Sequence, residues 1–381
     1  MLRQINKINA ILFIILGLLL FSLVNYSYAD SQKFQTAQAG KNSAKKKLKL
    51  LITNVSLDKK AINPVKNEAA SIRFRLNKKA QISAKIYNSL DQLVREIKSR
   101  DMCKSGYNEI IWDGKDKDGQ IVIPDAYVYT LTGYDQKNNE LMVFDPADET
   151  GGLTLAIREF ATDSTRGQIT YVLPKAARVR IRIGLKNGGP LLRTLIDFKP
   201  QPAGRNNLIW DGFDSSHVFN FLGNENLFIN ISAFSLAENS IIVDYSQPII
   251  SNETKNYSDA EMRIKKETDL PKDMHALHER DKCHEPDFGF QVMYENKKDD
   301  IIPIKIRLSD KDKIELIGTR YEIVFFLDNV FIFEEEEGIS PLTYQFDTKG
   351  INSGKHLLTI NLHGFDNHVA TRSEEIIIKR E

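Results

Sequence analysis

Apolar and polar residues alternate with a period of two along most of the chain beyond residue 48. Ile72-Arg-Phe-Arg-Leu76, Ile82-Ser-Ala-Lys-Ile86-Tyr87 and Tyr127-Val-Tyr129-Thr-Leu131 each place their apolar side chains on one side of an extended backbone, the pattern of a half-buried strand. Val179-Arg-Ile181-Arg-Ile183, Ile302-Pro-Ile304-Lys-Ile306-Arg-Leu308 and Ile323-Val-Phe-Phe-Leu327 continue it, and Asp328-Asn329 predicts a hairpin turn into Val330-Phe-Ile-Phe333. Asp118-Gly119 and Pro124-Asp125 are turn signals between runs. Many short strands, with no long helix between them, predict an all-β chain built of β-sandwiches.

One stretch occurs twice. Gly106-Tyr-Asn-Glu-Ile-Ile-Trp112-Asp113-Gly114-Lys-Asp116 recurs as Gly204-Arg-Asn-Asn-Leu-Ile-Trp210-Asp211-Gly212-Phe-Asp214, and these two Trp are the only ones in the sequence. The repeat extends upstream, where Leu76 to Ala80 answers Leu173 to Ala177 and Val94-Arg-Glu-Ile97 answers Leu192-Arg-Thr-Leu195. Downstream, Tyr127, Tyr129 and Leu131 answer Leu227, Ile229 and Ile231. A spacing of roughly a hundred residues is a domain length, so these are tandem domains. Trp112 and Trp210 close strand ends and are expected to plug the sandwich, with Asp113-Gly114 and Asp211-Gly212 turning the chain after them. Core and turn are preferred here to a ligand-stacking role. The acids of residues 113–119 lack the alternation and terminal Glu of a calcium loop.

The string from Ile62 through Leu131, with its GYNEIIWDGKDKDGQ core, resembles the FlgD-type immunoglobulin-like domain, first known from the flagellar hook-capping protein. The second copy departs from the pattern after Asp214, where the Asp-x-x-Gly turn and the following Pro are missing, so its hairpin is expected to be longer or altered. The resemblance covers only these domains and does not make the chain a hook cap. It implies spacer, assembly or binding modules. Residues 286–381 are again β by pattern, and Asp347-Thr348, Gly354 and His356 resemble the closing half of another bacterial Ig-like domain.

The expected organisation is a signal peptide (1–29), a basic flexible linker (30–47), a first Ig-like domain (48–147), a second (150–248), a charged joint (249–285) and a third Ig-like domain (286–381). Arg3 and Lys7 precede an apolar run from Ala10 to Val24, and Ser27-Tyr-Ala29 offers a cleavage site. That run falls short of the roughly 20 residues that cross a bilayer, so export without a membrane span after cleavage is preferred to an uncleaved anchor. The chain carries 52 Lys/Arg against 51 Asp/Glu; two of the cations lie in the signal, which leaves 50 against 51 and a net charge of −1. That balance argues against nucleic acid as a partner. Lys33 to Lys49 form a basic stretch read as a tether, and Glu334 to Glu337 an acidic run read as an exposed turn or edge.

The only constellation suggestive of chemistry lies in the joint, where His275, His278, Cys283 and His284 gather. A thiolate with imidazoles suits a transition metal or non-covalent haem. Position 280 is Arg, which rules out covalent haem attachment through Cys-x-x-Cys-His, and position 282 is Lys, which rules out His-Glu-x-x-His. A solvated polar hinge is the preferred reading. Cys103 and Cys283 form a candidate disulfide in an exported chain, with Cys103 expected near the surface because its counterpart, Gln201, lies between two prolines. No nucleophile elbow or phosphate loop is present, and Asp214, Ser215, Ser216 and His217 sit too close in one hairpin to converge as a triad. The expectation is a non-enzymatic exported protein without cofactor. Its Ig-like domains would space, assemble or hold another envelope or extracellular protein through exposed edge strands. The alternatives are a metal- or haem-linked accessory protein acting through the joint and a glycan-binding module.

Overall fold

In a computed structural model, the described residues are 49–148, 150–245, 285–296, 300–316, 320–364 and 368–379. The signal, the linker and nearly all of the joint lie outside them.

The first module holds β1 (Ile52–Leu57), β2 (Ala61–Ile62), β3 (Ala70–Leu76), β4 (Ala80–Tyr87), β5 (Leu93–Cys103), β6 (Gly106–Trp112), β7 (Asp125–Asp135) and β8 (Glu140–Phe144). One sheet runs β1-β3-β6 and the other is built on β5-β4-β7. The alternating residues of β3 and β4 face each other across the sandwich, and Ile72, Phe74, Leu76, Ile82 and Ile86 are all sealed from solvent.

The second module repeats the plan with β9 (Arg158–Asp163), β10 (Gln168–Leu173), β11 (Ala177–Leu185), β12 (Leu191–Gln201), β13 (Gly204–Ile209) and β14 (Leu227–Ser235), in sheets β13-β10-β9 and β12-β11-β14. Its registers match: Ile86 pairs with Tyr129 and Ile183 with Ile229, while Ala84 pairs with Leu131 and Ile181 with Ile231.

The chain then does something the repeat does not predict. The strand β15 (Ser240–Val243) leaves the second module and returns to the first, antiparallel to β7 and parallel to β2. Residues 240–243, expected at the end of the second domain, belong to the first sheet instead. The strand continues the line of β8. Phe144 pairs with Leu131, the Tyr129 N–H donates to Asn239 O at 3.1 Å, and Ser240 pairs with Val128. One edge of β7 is thus covered by a strand in two pieces, with the second module inserted between them. Asn239 joins the halves, its Nδ2 donating to Tyr129 O at 2.7 Å and to Asp145 Oδ1 at 3.1 Å. Ile241 and Val243 fill the first module's core. The two connecting segments run side by side, with the Glu238 N–H on Thr150 Oγ1 at 3.0 Å, and Arg178 of β11 reaches Asp125 of β7 at 2.9 Å.

The third module holds β16 (Phe288–Val292), β17 (Ile301–Leu308), helix α1 (Asp310–Leu316), β18 (Tyr321–Leu327), β19 (Val330–Glu335), β20 (Leu342–Asp347), β21 (Gly354–Gly364) and β22 (Val369–Ile378). Its sheets run β16-β17-β20 and β19-β18-β21-β22. Asp328 and Asn329 both adopt positive φ, the twist a two-residue hairpin needs. Thr359, Asn361, Thr371 and Ser373, the polar side of β21 and β22, are buried. Asn361 explains why: its Oδ1 accepts from the Leu191 N–H at 2.7 Å and its Nδ2 donates to Leu191 O at 2.9 Å, so it pairs with the start of β12 as a strand would. The Ser373 N–H donates to Ser216 Oγ at 2.8 Å, and Leu357 packs against the second module's core.

The returning strand gives a direct expectation. In a Trp210→Phe background, where Trp112 alone reports, Ile241→Ala should lower the stability of the first module by about 2–5 kcal/mol, as for deletion of a buried branched side chain. Denaturant titration followed by Trp112 fluorescence measures this; an unchanged midpoint would mean that β15 is not part of that core.

Candidate strand-docking edges

The two Trp corners are the same device built twice. Trp112 is 0% exposed and Trp210 3%, and each indole N–H donates to a carbonyl three residues on, Lys115 O at 3.0 Å and Phe213 O at 2.8 Å. Asp113 Oδ1 takes Arg95 Nη1 at 2.8 Å and Asp211 Oδ1 takes Arg193 Nη1 at 2.8 Å, so each carboxylate ties the corner to the strand beside it. Gly114 and Gly212 follow at φ +72° and +87°, and a Cβ on either would lie 2.3 Å from Pro64 Cγ or Leu222 Cγ. Sequence reasoning missed Arg95 and Arg193, and also Asn108 and Asn206. Asn108 Nδ2 donates to Lys104 O and Gly106 O, and Asn206 Nδ2 to Pro202 O and Gly204 O. The signal was available, since both residue types stand at the same place in both copies.

The hairpin after the second corner is longer by one residue: Lys115 bridges Ile121, whereas Phe213 bridges Asn220. Its turn is otherwise preserved. His217 takes φ +56° where Gly119 has +76°, and Asp214 Oδ1 accepts from the N–H groups of Val218 and Phe219 as Asp116 Oδ1 does from Asp118 and Gln120. His217 stacks on Phe213 and sits 3.5 Å from Asp211, while Ser216 Oγ faces Ser373 of the third module. Asp214, Ser216 and His217 therefore each serve a separate structural contact.

Cys103 corrects its expectation. The alternation of β5 turns it inward opposite Ala80, and it is only 5% exposed. Burial raises its thiol pKa, opposed by Lys98 with Nζ 3.9 Å from the sulfur. Cys283, the other half of the candidate disulfide, lies outside the described residues, as do His275, His278 and His284. The acidic run closes the edge strand β19, where burial and the neighbouring Glu322 carboxylate raise the pKa of Glu334. Among the described residues no group of three metal-ligating side chains gathers.

His356 is a built contact in the third module. Its Nδ1 lies 2.7 Å from Asp328 Oδ2 and its Nε2 2.8 Å from Asn352 O. Both partners are acceptors, so only the doubly protonated imidazolium satisfies both. The Asp328 hydrogen bond is the largest cause holding its pKa above the ordinary histidine range; burial opposes it and the Asn352 carbonyl adds to it.

Several strand edges are open among the described residues. β1 and β6 flank one sheet of the first module, β9 and β13 one sheet of the second, and β19 the larger sheet of the third. The edge of β14 differs from these because a cleft of about 420 Å³ opens beside it. Phe160 of β9, Ile169 of β10, Trp210, Lys186 and Leu227, Phe228 and Ile229 of β14 line the cleft. Phe160 and Phe228, 43% and 51% exposed, stand at this opening.

The fold and these edges define an all-β protein of three Ig-like sandwiches. No family model matches the chain, and no curated protein matches it. Among solved structures it is similar to the fibronectin(III)-like modules of Clostridium thermocellum CbhA, at 9% identity over 85% of this chain and 94% of that chain, with a TM-score of 0.18. It is also similar to a tetra-tandem repeat from the extending region of a large adhesion protein (10% identity, 87% of this chain, 74% of that chain, TM-score 0.20). A third likeness is to a structure of a 1.5-MDa bacterial ice-binding adhesin (8% identity, 87% and 98%, TM-score 0.17). The fold assignment stands on the strand pairing itself. Among the described residues no helix is long and apolar enough to cross a membrane.

The His356 pair sets a pH dependence. A folded pKa raised above the unfolded value stabilises fully below about pH 6.5, and the contribution is lost as pH rises through the folded pKa. Hydrogen exchange of β21 amides should therefore quicken between pH 6 and pH 9 beyond the intrinsic rate change, and His356→Gln should remove that excess. An identical profile in both proteins would contradict the assignment.

Proposed function

We propose that this is an exported, non-catalytic structural and binding protein whose FlgD-type and related Ig-like modules hold or assemble another protein in the cell envelope or outside the cell. The observation that carries this reading is the way the modules are joined. The second is inserted through a split strand of the first, and the third is hydrogen-bonded to the backbone at Leu191. Linkers that only string domains together need neither feature; a unit that presents edges at fixed spacing does. The polar side chains that could suggest catalysis are held in separate structural contacts, and the edges carry unused backbone donors and acceptors, the natural means of adding a strand from a partner. Export rests on the signal-like first 29 residues.

Cross-linking mass spectrometry on the full chain purified from its own host's envelope tests this. The expected result is stoichiometric linkage to one other protein through residues on or beside a strand edge. A chain recovered alone, without cross-linked partner under conditions that preserve envelope complexes, would overturn it.

A further inference from the structure

The first and second modules share strand registers and differ at one edge. In the first, β7 is followed in its sheet by β15 and then β2, whereas in the second the matching strand β14 ends the sheet. The chain that would close the second sheet has gone back to close the first. The second module also lacks a counterpart of β2. Residues 58–69 separate β1 from β3, whereas β9 and β10 are joined by the tight turn after Asp163, whose carboxylate caps Thr165 and Arg166. The cleft beside Phe160, Ile169 and Phe228 occupies the position that a closing strand takes in the first module.

Burial records the same vacancy. Tyr127, Tyr129 and Leu131 are buried beneath β8 and β15, but their counterparts Leu227, Ile229 and Ile231 are only partly buried. The backbone agrees. The Ser235 N–H donates to Leu153 O and the Leu155 N–H to Ala233 O, so the odd-numbered residues of β14 turn their polar groups away from β11. By the alternation of an antiparallel ladder, Ile231 and Ile229 turn theirs the same way. The segment 152–155 stops short of them; at the matching position in the first module, the Tyr129 N–H is taken by Asn239 O.

We infer that the β14 edge of the second module is a strand-acceptor site, filled by a short extended segment of another protein. The segment runs antiparallel to β14 and carries branched apolar residues at alternate positions. This rests on the binding role proposed above and specifies its site. The chemistry of the occupant is read from β15, which fills the equivalent slot and sends Ile241 and Val243 into the core. A second copy of this chain does not supply it from the described residues, because its own β15 is committed to its own first module. In the register of β15, main-chain hydrogen bonds to Ile229, the counterpart of Tyr129, and to the Leu227 carbonyl, the counterpart of Tyr127, give affinity, and the cleft selects the side chains.

The probe is a labelled synthetic peptide with the sequence of residues 239–245, Asn-Ser-Ile-Ile-Val-Asp-Tyr, titrated into the full chain. Fluorescence anisotropy reads binding, and hydrogen exchange locates it. Saturable binding is expected, with exchange at the Ile229 amide slowed by at least about tenfold. A peptide with Ile241→Asp and Val243→Asp should not bind. Ile229→Pro removes a slot-facing N–H while leaving the β11 ladder its donors, and should weaken binding by about tenfold. Because proline also restrains its neighbour, the altered peptide is the control that leaves the protein untouched. Absence of binding, or protection at β6, β13 or β19 instead, would overturn the site. So would self-association abolished by Ile229→Pro, since a second copy would then be the occupant. In the envelope cross-linking experiment, a partner linked far from β14 would leave the binding role intact and refute this site alone, whereas absence of any partner would remove both.

Discussion

The structure depends on one pairing, that of β15 with β7. It brings Asn239 back to Asp145, 94 residues away in sequence, and makes the second module an insertion between two pieces of a strand. A module held by one linker swivels about it. A module held by two, each fixed into the same sheet, loses most of that freedom. The salt bridge from Arg178 to Asp125 and the contact of Glu238 with Thr150 then act on groups already held close, so they add orientation at small entropic cost.

The third module is fixed by a different means with the same result. Asn361 offers a side-chain amide whose donor and acceptor match the Leu191 backbone, and Thr371 Oγ1 adds a second donor to the same carbonyl at 2.9 Å. Buried polar groups arranged in this way specify geometry, because any other docking would leave them unpaired at a cost of about 1–3 kcal/mol each. A chain with no visible catalytic constellation among its described residues thus places polar contacts where they lock modules together. The joined modules leave several strand edges open.

Much of this was legible in the sequence where the physics is local. Period-two alternation located the strands. The doubled Trp-Asp-Gly string located both corners, because a buried indole, a turn-capping carboxylate and a positive-φ glycine must be close neighbours in sequence. Asp328-Asn329 gave its hairpin for the same reason. What could not be read was which sheet a strand joins. Ser240 to Val243 has the pattern of a closing strand, and nothing in those four residues distinguishes β7 from β14 as neighbour. The polar side of β21 and β22 was equally opaque: Thr359, Asn361 and Thr371 look solvent-facing until a second module covers them. Cys103 failed for a narrower reason, because its counterpart's neighbouring prolines suggested a loop where β5 in fact continues inward.

The most direct test is to record cross-strand nuclear Overhauser contacts in the full chain for the backbone of residues 240–243. Contacts are expected from Ser240 to Val128 and from Ile242 to Ala126, linking the end of the second module's sequence to the first module's sheet. Contacts from the same residues to Leu227–Ile231 of β14 would contradict this pairing. They would make the second module complete in itself and leave no slot for a partner.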